Sequence, residues 1–567
     1  MQQTLTPVPP LPRAEGEQSE SVTPVERRLS FRRRLVPAFV GRPSSLRAAL
    51  RSPHWPLYLL AVPVIAAIAL PIFYLILRGA GAGAEGIEYL LSERTLTIVV
   101  NSLLMAFAVA AGSVAIGVPF AWLTARTDLP YRRLWLVGGL LTMVIPSYLG
   151  AIAFVEAFGP VGALRDLLAP LGVTRLPPVY GFFGAWAVLT LYTFPYVVLP
   201  VRAALLRIDP AQEEAARMLG MGRWRAFYHV TLPQLRPALA AGILLSMLYT
   251  LSDFGVVMVL RYNAFTRAIY TAYNSSFDRE RAALLALVLV AITVALVLLE
   301  RRAGKSLPVY RHQGQAARKS SPVPLRRWTL PALVMCAFLV LIGVGIPLAV
   351  LGGWALNPNL TSRVPVELES LTAQTVGVSV VTALVVGIAA LPLALLAARA
   401  TSRISRVLVG ASYLGNVLPG LVVGLALVYF AANYFPSIYQ TVPLLVIGYA
   451  ARFLPYSVGA TRSALAMISP RLEEAARTLG CTSAAATRRI TLPMARAGVL
   501  GGMALVALSA MKELPTTLML SPIGFRNLAT RAWTGYEAAS FALVGTPGLL
   551  LLAVSALTLF VLLWQEE

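Results

Sequence analysis

The sequence Glu213-Glu214-Ala215-Ala216-Arg217-Met218-Leu219-Gly220 returns 260 residues later as Glu473-Glu474-Ala475-Ala476-Arg477-Thr478-Leu479-Gly480. The same offset pairs Pro195-Tyr196 with Pro455-Tyr456, Arg202 with Arg462, Pro210 with Pro470, and Thr231-Leu232-Pro233 with Thr491-Leu492-Pro493. Upstream the offset becomes 273, pairing Pro119 with Pro392, Arg126 with Arg399 and Pro146 with Pro419. Self-similarity at a fixed period marks a duplicated structural unit. The first copy holds 13 extra residues between Pro146 and Pro195. The stretch around 158–179 is where a loop would absorb them cheaply.

Composition says what solvent the two copies live in. Of 567 residues, 57% are hydrophobic and 13% charged, against about 25% charged in soluble domains, and the mean hydropathy is +0.71. These values exclude a soluble multidomain enzyme, a disordered chain and a collagen. Two cysteines, Cys336 and Cys481, and three scattered histidines, His54, His229 and His312, provide neither a disulfide framework nor a zinc or other metal site. The net charge of +23 sits in short loops between apolar runs, so it gives no reason to expect nucleic acid as a partner.

A helix needs about 20 apolar residues to cross a bilayer. Twelve such runs are present, near 57–77, 97–124, 134–157, 180–201, 238–260, 282–299, 329–355, 375–398, 407–432, 442–461, 498–520 and 541–564. The first is read as a span and not as a signal peptide, being longer than a typical apolar h-region and preceded by a long basic tail. With the N-terminus placed inside, 35 Lys and Arg fall in inner segments and 11 in outer ones, Arg452 and Lys512 lying within spans. Basic residues stay on the cytoplasmic side, so both termini are expected there. The expected fold is an all-α polytopic membrane protein of twelve transmembrane helices arranged as two six-helix repeats. An even number of spans per repeat makes the repeats parallel, related by an axis along the membrane normal. The expected segments are a basic cytoplasmic tail (1–53), a first half (54–300), a cytoplasmic linker (301–328) and a second half (329–567). The tail is read as disordered or as lying on anionic headgroups, with membrane lipid as its partner.

The duplicated inner loops, 202–237 and 462–497, are too long and too sharply specified to be mere connectors. Asp209 and Ser469 suit helix N-caps, and Pro210 and Pro470 suit the first helical position. Glu213, Glu214, Glu473 and Glu474 fall in or near the first turn, where the helix dipole favours them. Gly220 and Gly480 suit left-handed termini. The loops therefore predict a short helix, a turn and a second short segment, with Ala215, Ala216, Ala475 and Ala476 permitting close docking. One reading is a knob for a cytosolic partner, present twice for a dimeric one; the plainer reading is an amphipathic helix resting on headgroups.

The spacing E-A-A-x₃-G-x₉-I-x-L-P resembles the loop signature of permease subunits of ATP-binding-cassette importers. It appears as Glu214-Ala215-Ala216, Gly220 and Val230-Thr231-Leu232-Pro233, with Val in the Ile position. It appears in full as Glu474-Ala475-Ala476, Gly480 and Ile490-Thr491-Leu492-Pro493. Lys512-Glu513-Leu514-Pro515-Thr516-Thr517-Leu518-Met519-Leu520, followed by Gly524-Phe525 and Leu528-Ala529-Thr530-Arg531, further resembles the fused two-half permeases of the ferric-iron uptake group, to which thiamine permeases are related. The resemblance implies a type I importer permease of the bacterial inner membrane whose two loops are coupling helices. It implies a cytosolic ATPase dimer and a periplasmic or extracellular solute-binding protein as partners, with ATP and Mg²⁺ used by the ATPase and no cofactor bound by this chain. Iron is the implied cargo; thiamine, polyamine or another small solute are alternatives.

The chain itself lacks an engine. A phosphate-binding loop needs G-x₄-G-K-[ST], and the nearest stretch, Gly304-Lys305-Ser306, has Leu299 where the first glycine belongs. No catalytic constellation is evident. Ionisable groups inside spans are functional candidates, and four stand out: Glu156, Asp253, Lys512 and Glu513. Asp253 and Glu513 are repeat equivalents, each about 15 residues past its loop and so beyond the bilayer midplane at about 1.5 Å per residue. With Lys512 they form a candidate pathway or gate, and carboxylates suit a hard cation such as Fe³⁺; structural polar packing is the other reading. Glu156 and Arg452 correspond to Tyr429 and Tyr192 and receive no role. An ion-coupled secondary transporter would also show duplicated halves, but it has no reason to duplicate a cytosolic loop; a membrane receptor or scaffold would tolerate loss of Asp253 and Glu513.

Overall fold

The computed structural model describes residues 55–276, 278–305, 322–361, 367–400 and 402–564. The 1–53 tail and most of the 301–328 linker lie outside the described residues. Inside a bilayer every backbone N–H and C=O must be bonded within the protein, and the chain meets this with helices. In the first half these are α1 (Trp55–Gly81), α2 (Glu93–Arg126), α3 (Ser147–Phe158), α4 (Phe182–Arg207), the short α5 (Pro210–Met218), α6 (Leu232–Ser252) and α7 (Arg279–Lys305). In the second half they are α8 (Thr329–Val340), continued through a π turn into α9 (Ile346–Leu356), then α10 (Leu368–Arg399), α11 (Gly420–Tyr434), α12 (Val442–Met467), the short α13 (Pro470–Thr478), α14 (Leu492–Met511) and α15 (Phe541–Trp564). Among the described residues, eleven helical stretches are long and apolar enough to cross a membrane, and α11 is a shorter apolar helix in the place of the ninth expected span.

Four of the expected spans are not continuous. The runs 134–157 and 407–432 break just before Pro146 and Pro419, which begin α3 and α11 as N-caps instead of kinking a helix. The runs 238–260 and 498–520 break at Asp253 and at Lys512-Glu513-Leu514 and resume as the short helices Gly255–Val259 and Pro515–Leu520. Pro195 and Pro455 lie inside unbroken helices. Hydropathy sees the apolar run but not the break, because the residues on both sides stay apolar.

The same three-helix core recurs in the two halves: α2, α4 and α6 pack together, as do α10, α12 and α14. Without a hydrophobic drive between helices in lipid, small residues and hydroxyls set the approach. Gly242 and Gly502, repeat equivalents, bring α6 onto α4 and α14 onto α12; a methyl on them would stand 2.9 Å from Cα of Val197 and 3.0 Å from Cα of Ser457. In the first half Ser246 donates to Ser113 (3.2 Å), and the Ser113 and Thr193 hydroxyls share a bond of 2.8 Å.

The halves interlock. α1 packs against α10 and α11 of the second half as well as against α7 of its own, and α9 packs against α3 of the first half as well as α15. Tyr74 stacks on Tyr429 with ring centroids 4.6 Å apart, Arg78 lies over the same ring at 5.2 Å, and the Tyr58 hydroxyl meets Ser402 Oγ at 2.8 Å. On the other side Tyr192 donates to the Gly343 carbonyl in the π turn between α8 and α9 (3.3 Å). The end of the linker is tied down too: Val323 N bonds Arg126 O (2.8 Å), and Leu325 N bonds Asp128 Oδ1 (2.9 Å).

This exchange of first helices makes each half incomplete alone. Severing the chain within the linker and expressing the two pieces together is expected to return one monodisperse particle in detergent, while either piece alone aggregates. Size-exclusion chromatography checks it.

Candidate functional site

The two duplicated loops fold as expected from their punctuation. Pro210 and Pro470 begin α5 and α13. Asp209 caps α5 by accepting from Ala211 N at 3.0 Å. Ser469 makes no such side-chain cap, a departure from the expected symmetry. Gly220 and Gly480 stand at φ +87° and +90°. The amide after each glycine reaches back to Ala216 O (3.1 Å) or Ala476 O (3.0 Å), closing the helix with a left-handed residue.

The eight-residue motif sorts into an inward and an outward set. Glu213 and Glu473 turn back toward the membrane core. Glu473 Oε1 accepts from Arg399 Nε at 3.1 Å and from Thr491 Oγ1 at 2.7 Å, and Arg399 also bonds Ile468 O. In the first half Glu213 accepts from Thr231 Oγ1 at 3.3 Å, and Arg126 donates to Ile208 O at 2.9 Å. Ala216 and Ala476 are buried beneath the helix, while Glu214, Ala215, Glu474 and Ala475 are exposed. Met218, Leu219 and Leu479 are at least 83% exposed, an apolar tip on each knob. Leu232, Pro233 and Leu492 are half-buried and Pro493 exposed. A π turn precedes each Leu-Pro, at Phe227–Thr231 and Thr487–Thr491. It places Thr231 and Thr491 against the inward glutamates; π turns of this kind recur at functional sites. Arg126, Arg399, Thr231 and Thr491 carry no sign of this brace in sequence beyond being repeat partners.

The second group lies where the broken spans meet. Asp253 and Glu513 are 7% and 6% exposed. Each follows the last turn of its helix and caps the short helix beyond: Asp253 accepts from Val256 N at 2.8 Å, and Glu513 from Thr516 N at 3.2 Å. Beyond that they differ. Ser147 donates to Asp253. Glu513 pairs with the Arg452 guanidinium and accepts from Thr516 Oγ1 at 2.7 Å. The position equivalent to Ser147 is Gly420, and a methyl there would collide with Arg452, Glu513 and Thr516. One half carries a serine and Tyr192 where the other carries a glycine and Arg452. The serine serves Asp253 and the guanidinium serves Glu513. Lys512 turns elsewhere, donating to the Met143 carbonyl of the first half at 2.6 Å.

Glu156, near the C-terminal end of α3, joins neither group among the described residues. Among the described residues no set of three or more His, Cys, Asp or Glu is placed to hold a metal ion.

Residues 117–302 and again 390–566 match the family described as binding-protein-dependent transport system inner membrane component. The two matches begin 273 residues apart, the offset of the upstream repeat. An Fe(3+)-transport system permease protein of Haemophilus influenzae is 30% identical over 517 residues, covering 90% of this chain and 98% of the relative. A putative 2-aminoethylphosphonate transport system permease protein of Salmonella choleraesuis is 31% identical over 40% of this chain and 82% of its own length. A sulfate transport system permease protein of Escherichia coli is 29% identical over 35% of this chain and 72% of its own.

Three variants test the architecture. Removing one member of a buried ion pair strands the other, at a cost of about 3–5 kcal/mol. Arg452→Ala is expected to lose that much thermal and denaturant stability in detergent, and the double variant Arg452→Met/Glu513→Leu to recover most of it. Gly420→Ala is expected to resemble Arg452→Ala, because the methyl displaces the guanidinium; a Gly420→Ala protein as stable as wild type contradicts the steric account.

Proposed function

This chain belongs to the family of binding-protein-dependent transport system inner membrane components, and from that premise we propose that it carries ferric iron, received from a separate solute-binding protein and driven by a separate cytosolic ATPase. It is a multi-pass permease of an ATP-binding-cassette importer in the inner membrane. Iron is favoured because the Fe(3+) relative aligns with both halves over almost its whole length, while the phosphonate and sulfate relatives align with well under half of this chain. The excess of Lys and Arg on inner segments supports both termini being cytoplasmic.

The observation that carries the mechanism is the pair of braced knobs. α5 and α13 hang on the cytoplasmic ends of α2 and α10 through Arg126 and Arg399, with Glu213–Thr231 and Glu473–Thr491 closing the brace. A knob held this way moves with its core. The exposed Glu214 and Glu474, with Met218, Leu219 and Leu479 at the tips, form the surfaces offered to the ATPase dimer, one knob to each copy. ATP-driven closure of that dimer draws the knobs together and opens the halves toward the loaded binding protein; hydrolysis resets them and releases iron inward. ATP and Mg²⁺ act in the partner, and this chain holds no cofactor and performs no hydrolysis. Asp253 and Glu513, buried at the breaks in their spans, serve in this reading as the gate for the cargo. An ion-coupled transporter accounts for the duplication but leaves the braced knobs without a task.

The test is uptake into liposomes holding this chain with its ATPase, offered binding protein loaded with Fe³⁺, sulfate or thiamine. ATP-dependent iron uptake is expected, falling at least about tenfold, or about 1.4 kcal/mol, in Glu214→Ala/Glu474→Ala with the assembled particle intact. Uptake of another solute keeps the coupling and replaces the cargo. Uptake indifferent to ATP and to both glutamates overturns the importer mechanism.

A further inference from the structure

Where the two three-helix cores face each other, one strong polar bond crosses the seam: Lys512 Nζ, from the break after α14, donates to the Met143 carbonyl in the non-helical stretch before α3, at 2.6 Å. Among the described residues, the neighbouring bonds between the halves come from neutral phenols and are longer: the Tyr148 hydroxyl to Ala529 O at 3.5 Å and the Tyr192 hydroxyl to Gly343 O at 3.3 Å. We propose that Lys512 is a positioning residue for transport, a one-sided latch that holds the two halves in the arrangement seen here until the loaded binding protein and ATP separate them. The inference rests on the importer reading above.

Four observations carry it. Both ends of the bond lie in span breaks, so the bond ties together the irregular segments that can rearrange without unwinding a full helix. Lys512 is not used by its neighbouring acid: Glu513 is already paired with Arg452 and capped by Thr516, leaving the ammonium to reach across. The Met143 carbonyl belongs to the break between the helix Arg132–Leu141 and α3, where the helical ladder does not claim it. The repeat does not copy the device, since the equivalent of Lys512 is Ser252, whose hydroxyl makes no hydrogen bond among the described residues. Among the described residues, the charged groups acting on Lys512 and Asp253 here are Glu513 and Arg452, and the bonds of Asp253, Glu513 and Arg452 close within their own halves. A charge-assisted bond to a carbonyl in surroundings of low polarity is strong, and a relative movement of the cores must break it.

The experiment uses the assembled complex in nanodiscs, with ATPase and binding protein. Wild type is expected to hydrolyse ATP slowly alone and faster with loaded binding protein. Lys512→Met is expected to raise the unstimulated rate about tenfold and leave the stimulated rate within about twofold, and Lys512→Arg to restore most of the restraint, which loss of packing alone would not do. Spin labels at Val161→Cys and Ile523→Cys, on the outer loops of the two halves, read the same device without turnover: Lys512→Met is expected to broaden their nucleotide-free distance distribution. An unstimulated rate and a distance distribution both unchanged in Lys512→Met overturn the latch, as does an arginine variant no more restrained than the methionine one. A wild-type complex in which no binding protein changes the ATPase rate overturns the importer reading itself.

Discussion

No backbone group can be left unbonded in hydrocarbon, and the break in a membrane span is therefore the most demanding feature of this structure. The chain breaks four spans and repairs each from within. Prolines, which have no N–H to satisfy, open α3 and α11, and carboxylates accept from the buried amides of Val256 and Thr516. A buried carboxylate then needs its own compensation, and the two halves meet that need differently. A serine hydroxyl serves Asp253, and a guanidinium serves Glu513, with a glycine at position 420 leaving room for it. Most of what distinguishes the two halves near the midplane follows from that divergence.

The breaks also concentrate polar groups where two rigid cores meet. Each core is a tight three-helix unit joined by small residues, stiff enough to move as a body. The exchanged helices α1 and α9 hold the cores near each other mainly through apolar and aromatic contacts, Tyr74 on Tyr429 among them, with the Tyr58–Ser402 and Tyr192–Gly343 bonds at their edges. The polar bonds at the seam cannot slide; they are made or broken. A structure of this kind has few stable arrangements, and the braced helices α5 and α13 are anchored to the same cores whose seam carries those bonds.

Much of this was legible along the chain. Hydropathy located the spans, and the repeat of Glu213–Gly220 at Glu473–Gly480 marked the knobs. Proline and glycine at fixed places in that repeat foretold the start and end of α5 and α13, because those residues act through their own backbone. The inward turn of Glu213 and Glu473 was not legible, nor was the side-chain cap that Ser469 lacks: neighbouring residues of one type, Glu213 and Glu214, differ only in which face of a helix they occupy and what stands beneath it.

Sequence by itself determined the solvent, the helical class, the parallel duplication and the duplicated loops, since each depends on local composition or on a spacing that a linear chain carries unchanged. Tertiary structure alone decided that the first helices exchange, that Arg452 belongs to Glu513 and Ser147 to Asp253, and that Lys512 reaches the carbonyl of Met143. Those partners are 61, 106 and 369 residues apart, and only packing in three dimensions brings such groups within bonding distance.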